Sequence, residues 1–112
     1  MNLSSSMVGD ALVVTVEEPR IDAAVAIQFK DSMRAVSEGG PHRVILDMSH
    51  VDFVDSSGLG AVVAAMKLLA KNHKLELAGL RPVVAKVFRL TRMDSVFTIH
   101  PDIETATKAK AS

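Results

Sequence analysis

The sequence predicts an α/β domain in which helices pack on a mixed β-sheet. Three observations carry this prediction. The chain opens with a hairpin pattern, the β-branched run Leu12-Val13-Val14-Thr15-Val16 behind the turn residues Gly9-Asp10. Two later stretches, the apolar Val44-Ile45-Leu46 and the alternating Leu75-Glu76-Leu77-Ala78, have the length of strands. Around them lie stretches whose apolar residues recur at helical spacing. With 112 residues, 48% of them hydrophobic, residues 1–112 are expected to form a single domain around one core.

Taken in order, residues 2–8 and 11–17 are expected to pair as the opening hairpin, which Pro19 ends. Asp22 stands where it can cap a helix whose Val25, Phe29, Met33 and Val36 share one face, and Gly39-Gly40-Pro41 stops that helix. Val44 to Leu46 reads as a buried strand, nearly continuous as expected where helices cover a sheet. Behind the segment 51–60, Leu59, Val62, Val63, Met66, Leu69 and Ala70 mark a second amphipathic helix ending near Lys71-Asn72-His73. Leu75 to Ala78 is an alternating strand. Pro82 suits a first helical turn, with Val84, Val87, Phe88 and Thr91 on one face of the short helix it opens. Val96 to Ile99 is expected to be a last strand. Asp102 can cap a terminal helix carrying Ile103 and Ala106, and residues 108–112 are expected to fray.

Composition narrows the function. Thirteen basic and thirteen acidic residues cancel, and there is no Trp, no Tyr and only four Phe. Neither a global field nor stacking platforms favour nucleic acid. Cysteine is absent, which removes disulfides, thiolate catalysis and Cys-ligated metals. Met1 to Ser6 lacks the basic start and apolar core of a signal peptide. The apolar run from Leu59 to Met66 ends at Lys67, far short of the roughly 20 residues a spanning helix needs. A cytoplasmic protein with no membrane insertion is expected.

The most informative stretch is Val51-Asp52-Phe53-Val54-Asp55-Ser56-Ser57-Gly58-Leu59-Gly60. An acid and two hydroxyls stand where a helix begins, the residue types that accept hydrogen bonds from the unpaired N–H groups of a first turn. A phosphate there would meet backbone donors and a favourable dipole. Three catalytic or nucleotide templates fail. The esterase elbow wants Gly two positions before its serine, where this chain has Val54 or Asp55. No phosphate-cradling Gly-x-x-x-x-Gly-Lys-Ser/Thr occurs. Gly58-Leu59-Gly60 opens like a dinucleotide fingerprint, but Val63 fills its third glycine position.

Asp47, Asp52 and Asp55 match no metal-ligand spacing and read as a strand end, a loop and a helix cap, so no metal and no cofactor are expected. His42, His50, His73 and His100 read as surface histidines at element ends. The basic groups Lys67 to Lys74 and Arg81 to Arg92 read as solvated helix faces, and Met33, Met66 and Met93 as packing residues. From the residues alone, Ser56 and Ser57 as shared caps and as phosphoacceptors both remain open.

Asp55-Ser56-Ser57-Gly58-Leu59-Gly60 resembles the phosphorylation motif of the anti-sigma-factor antagonists, the stand-alone STAS domains. The similarity extends to Leu75-Glu76-Leu77-Ala78-Gly79-Leu80-Arg81-Pro82, to Val87-Phe88, Leu90-Thr91 and Val96-Phe97, and to the closing Ile103-Glu104-Thr105-Ala106. Asp22 falls where the family has an acidic residue before its first helix. The resemblance implies a STAS-like fold, a mixed sheet with an opening hairpin and about four helices.

It also implies a phospho-switch with no catalytic activity of its own. Ser56 is then the phosphoacceptor, with Ser57 as neighbour and cap. Asp22, Asp55, Ser56, Ser57, Gly58 and Leu59 form the partner-binding set. The implied partners are a serine kinase that is itself the anti-sigma factor, carrying ATP, and a PP2C-type phosphatase. The antagonist itself is expected to be a monomer between encounters. One departure is Glu18-Pro19-Arg20-Ile21-Asp22 in place of the family's Gly-Glu-Leu-Asp-like turn, which puts a cation, Arg20, beside the expected interface. A different class of function is a STAS subunit of a membrane transport complex, bound to an ABC-type ATPase and unphosphorylated. A third, an enzyme using a small phosphorylated ligand at the same helix start, lacks a nucleophile, base and orienter set.

Overall fold

The computed structural model describes residues 1–108. Its main sheet has five strands, β1 (Leu3–Val8), β2 (Ala11–Val16), β4 (Arg43–Asp47), β6 (Lys74–Ala78) and β7 (Ile99–His100), in the order β1-β2-β4-β6-β7. A separate two-stranded sheet pairs β3 (Arg20–Ile21) with β5 (Phe53–Val54). The helices are α1 (Ala26–Ser37), α2 (Ser56–Leu69), α3 (Pro82–Leu90) and α4 (Ile103–Lys108).

Only β1 runs antiparallel, joined to β2 by the predicted two-residue turn at Gly9-Asp10, where Gly9 takes a left-handed φ of 62°. The other neighbours in the main sheet are parallel and are linked by crossover segments that contain the helices.

Alternation along the strands divides the core. Leu12, Val14, Val16, Val44, Leu46, Leu75 and Leu77 turn to one side and meet Phe29 and Met33 of α1, Val62, Ala65 and Leu69 of α2, and Val84 and Phe88 of α3. Ala11, Val13, Ile45 and Ala78 turn to the other and meet Ala106 of α4. A sheet covered on both faces makes its central strands apolar throughout, the pattern seen in Val44 to Leu46. The mixed α/β fold with an opening hairpin and four helices is therefore as expected, and Pro82 opens α3.

Three expectations need correction. Asp22 does not cap α1: its Oδ1 accepts the Ala24 N–H at 3.1 Å in a local turn, and α1 begins only at Ala26, behind an N-cap Val25 with no side-chain cap. The strand expected over Val96 to Ile99 is confined to Ile99–His100. A 3-10 turn, Met93–Ser95, precedes it, and the Phe97 N–H bonds back to Met93 O at 3.1 Å. Phe97 is buried edge-on to Phe88 with 6.0 Å between ring centroids, so the core takes a residue that a strand would have used.

Glu76, the polar residue of the alternating strand, is only 4% exposed. His73 and His100 are not simple surface histidines. His73 Nδ1 lies 2.6 Å from Pro41 O, and His100 Nε2 lies 2.6 Å from Glu76 Oε1. The expected fraying concerns mainly 109–112, which lie outside the described residues; Lys108 closes α4 with a 2.9 Å contact to Glu104.

Candidate functional site

The motif enters α2 from β5, and Asp55 alone does the capping. Its backbone is extended, and its Oδ1 accepts the Gly58 N–H at 2.7 Å, the geometry of a helix N-cap. Its Oδ2 accepts the Ala23 N–H at 3.3 Å, so one carboxylate ties the start of α2 to the loop before α1. Ser57, expected to share the cap, does not. Ser56 and Ser57 are the first two residues of α2, both exposed. Among the described residues neither hydroxyl takes part in a hydrogen bond.

Gly58 shows why the two loops sit so close. A Cβ built there would fall onto the Ile21 carbonyl, 2.6 Å from its carbon and 3.3 Å from Asp22 N. Only a residue without a side chain lets the first turn of α2 rest on the backbone of β3. The register Arg20↔Phe53 and Ile21↔Val54 then carries Asp22 alongside Asp55. The structure thus brings Asp22, Asp55, Ser56 and Ser57 to one surface, with Gly58 buried beneath it and Leu59 half-buried against the core.

Arg20 completes the surface. Its Nε lies 3.3 Å from Asp22 Oδ2, and its guanidinium carbon lies 4.4 Å from the centroid of the Phe53 ring. This is a cation–π contact between directly opposed residues of β3 and β5. Phe53 is 38% exposed, so the stack forms part of the outer surface. Phe53 was not singled out from the sequence, because a two-residue strand leaves no periodicity to read.

A second polar group lies on the sheet face away from α2. Arg43 donates to Glu76 through Nε at 2.7 Å and Nη2 at 2.9 Å, and its Nη2 also donates to Ala106 O at 2.6 Å. Burial is the largest single influence on Glu76 and raises its pKa. Hydrogen bonds from Arg43 and His100, with their charges, outweigh it, and the carboxyl titrates near 2 instead of its ordinary 4.5. The same bond from Glu76 raises Arg43 above its usual range. This network ties β4, β6, β7 and α4 together. It is closed by its own partners, and its role is structural.

A cleft of about 590 Å³, lined by Arg34, Ser37, Leu68 and His73 among others, lies at the C-terminal end of α2. The rise of the 14-residue helix puts it about 20 Å from Ser56. Among the described residues no group of three or more His, Cys, Asp or Glu could hold a metal, and no helix is long and apolar enough to cross a membrane.

The chain is a mixed α/β module that exposes two serine hydroxyls at the start of α2. Residues 3–106 match the STAS domain family, and the chain belongs to it. BtrV of Bordetella bronchiseptica, named as a candidate anti-sigma factor antagonist, is 29% identical over 101 residues, 89% of this chain and 87% of that protein. Among solved structures, an anti-sigma-factor antagonist (STAS) domain protein from Planctomyces limnophilus superposes with a TM-score of 0.86 at 20% identity, covering 98% of each chain. The Bacillus cell fate determinant SpoIIAA in its phosphorylated form superposes with a TM-score of 0.66 at 23% identity, covering 96% of this chain and 97% of that one.

Proposed function

We propose that this chain is an anti-sigma factor antagonist that works as a phospho-switch, with Ser56 as the phosphoacceptor. The observation that carries the reading is the division of labour at the start of α2. Asp55 satisfies the helix end, which leaves the Ser56 hydroxyl exposed and without a partner among the described residues. Unphosphorylated protein binds a serine kinase that is itself the anti-sigma factor and so frees the sigma factor. The kinase brings the ATP and the base, and this chain supplies the acceptor hydroxyl and no catalysis. A PP2C-type phosphatase restores the binding form. The protein acts in the cytoplasm as a monomer between encounters, and Asp22, Asp55, Ser56 and Ser57 face the kinase over the floor made by Gly58 and Leu59.

Magnitudes support such a gate. A phosphoryl group adds about −1.5 to −2 charges. A like charge about 5 Å away on the partner repels by about 3 kcal/mol at an effective dielectric near 20, before salt screening. That corresponds to roughly a hundredfold in affinity.

The test compares Ser56→Ala and Ser56→Asp for binding to the purified kinase, together with mass spectrometry of the native protein across growth conditions. Tight binding by Ser56→Ala, weak binding by Ser56→Asp and a condition-dependent phosphate on Ser56 are expected. Equal affinities of the two variants would defeat the charge gate.

A further inference from the structure

The two segments that meet beneath Ser56 are acidic except at one residue. Residues 17–25 and 51–60, which meet through β3 and β5, contribute the carboxylates of Glu17, Glu18, Asp22, Asp52 and Asp55 and a single cation, Arg20. A phosphate on Ser56 would be added to these carboxylates, and Arg20 is the counter-charge that the two segments themselves supply.

Arg20 is held so that it could turn. Its side chain is 58% exposed, and its bond to Asp22 is a single contact at 3.3 Å. A solvent-exposed pair of this kind contributes little. The guanidinium reaches along β3 from Arg20 to Asp22, the direction that leads on the parallel side from Phe53 through Val54 and the extended Asp55 to Ser56 at the start of α2. Val54 ends β5 and Asp55 is extended, so at about 3.3 Å per residue the Ser56 Cα lies at most about 10 Å beyond that of Phe53. That span is within the combined reach of an arginine and a phosphoserine side chain. The Phe53 ring at 4.4 Å gives the guanidinium a platform on which to slide without losing its stacking contact.

We propose that Arg20 is the internal receptor for phosphorylated Ser56, exchanging the Asp22 carboxylate for the phosphate while its guanidinium stays on Phe53. This rests on the reading of Ser56 as the phosphoacceptor and adds to it. Phosphorylation then does two things to the partner-facing surface: it adds an anion, and it engages the Arg20 cation. A dianion with several acceptor oxygens is a stronger and geometrically better partner for the guanidinium fork than the carboxylate it replaces.

The test uses the full chain with phosphoserine encoded genetically at position 56, so that no kinase is needed. The phosphate is titrated by phosphorus NMR with Arg20 in place and in Arg20→Gln. With the second phosphate ionisation ordinarily near pH 6, Arg20→Gln is expected to raise it by about half a unit or more at low salt. The gap should close as ionic strength rises toward about 1 M. The Arg20 Nε–H signal should also shift between the serine and phosphoserine proteins. Identical phosphate titrations with and without Arg20, in variants that keep the native circular dichroism, would overturn the proposal and leave Ser56 free to be the phosphoacceptor. Absence of any phosphate on Ser56 in cells would instead strike the functional reading, whatever the titration showed.

Discussion

Gly58 and Gly60 sit two residues apart in α2, and the structure predicts opposite effects for the same substitution. At Gly60 a Cβ would meet nothing within 4 Å. Ala there should gain up to about 1 kcal/mol from helix propensity. At Gly58 the same gain is opposed by the Ile21 carbonyl, whose carbon lies 2.6 Å from the added Cβ. Carbon atoms settle about 3.5–4.0 Å apart and the carbonyl oxygen is nearer still, so the first turn of α2 must retreat by more than about 1 Å. The obstacle is backbone, which cannot rotate aside as a side chain would.

Overpacking of this kind costs about 3 kcal/mol. The retreat also stretches the 3.3 Å bond between Ala23 N and Asp55, which is worth about 1 kcal/mol. Gly58→Ala should therefore be about 3 kcal/mol less stable than the native chain. For a domain of this size 1 kcal/mol shifts Tm by about 4 °C, so Tm should fall by about 12 °C in Gly58→Ala and rise by about 4 °C in Gly60→Ala. Far-ultraviolet circular dichroism is the suitable assay, since the chain has no Trp and no Tyr. Two Tm shifts of the same sign would refute the packing of α2 on β3.

Two further outcomes concern single contacts. Asp55→Ala should cost about 2 kcal/mol in urea unfolding, one part for the N-cap and one for the Ala23 bond, whereas Ser57→Ala should stay within about 0.5 kcal/mol because its hydroxyl caps nothing. Glu76→Gln should cost about 3–5 kcal/mol at pH 7 by leaving the buried Arg43 guanidinium without its carboxylate. Because the Glu76 carboxyl falls from 4.5 unfolded to about 2 folded, its charge contributes about 3 kcal/mol that is fully present above about pH 4.5 and is lost as pH falls through 2. Unfolding curves of the native and Glu76→Gln chains should converge across that window, and a constant gap would count against the network.

The sequence showed what local chemistry decides and missed what distant contacts decide. The hairpin at Gly9-Asp10, the Asp55 cap, the Pro82 start of α3 and the Asp102 cap, whose Oδ1 accepts the Thr105 N–H at 2.7 Å, each depend on residues within three or four positions. Asp22 carried the same capping signal, but its side chain bends the chain two residues on, and the helix waits until Ala26. The Arg20–Phe53 stack joins residues 33 apart through two-residue strands, too short for any pattern. The buried network spans Arg43, Glu76 and His100, again far apart in the chain. Its one readable sign was Glu76 itself, an acid inside an apolar strand that helices cover on both faces, where only a paired charge is tolerated.

How the site is held bears on how a switch at Ser56 could work. Gly58 rests on the Ile21 carbonyl, Asp55 bonds to both Gly58 and Ala23, and α2 packs by Ala61, Val62, Ala65 and Leu69 into the main core. Moving the helix start would break these contacts together. A phosphate of about two charges has a cheaper course, because everything it needs to alter is already at the surface. The exposed Arg20 side chain can turn, and the carboxylates of Asp22 and Asp55 already set the sign of the field. On the phosphoacceptor reading, the fold's task is to keep the acceptor in a fixed place while charge changes around it. The binding partner would then distinguish two forms of nearly the same shape by electrostatics, and that discrimination should weaken as salt rises.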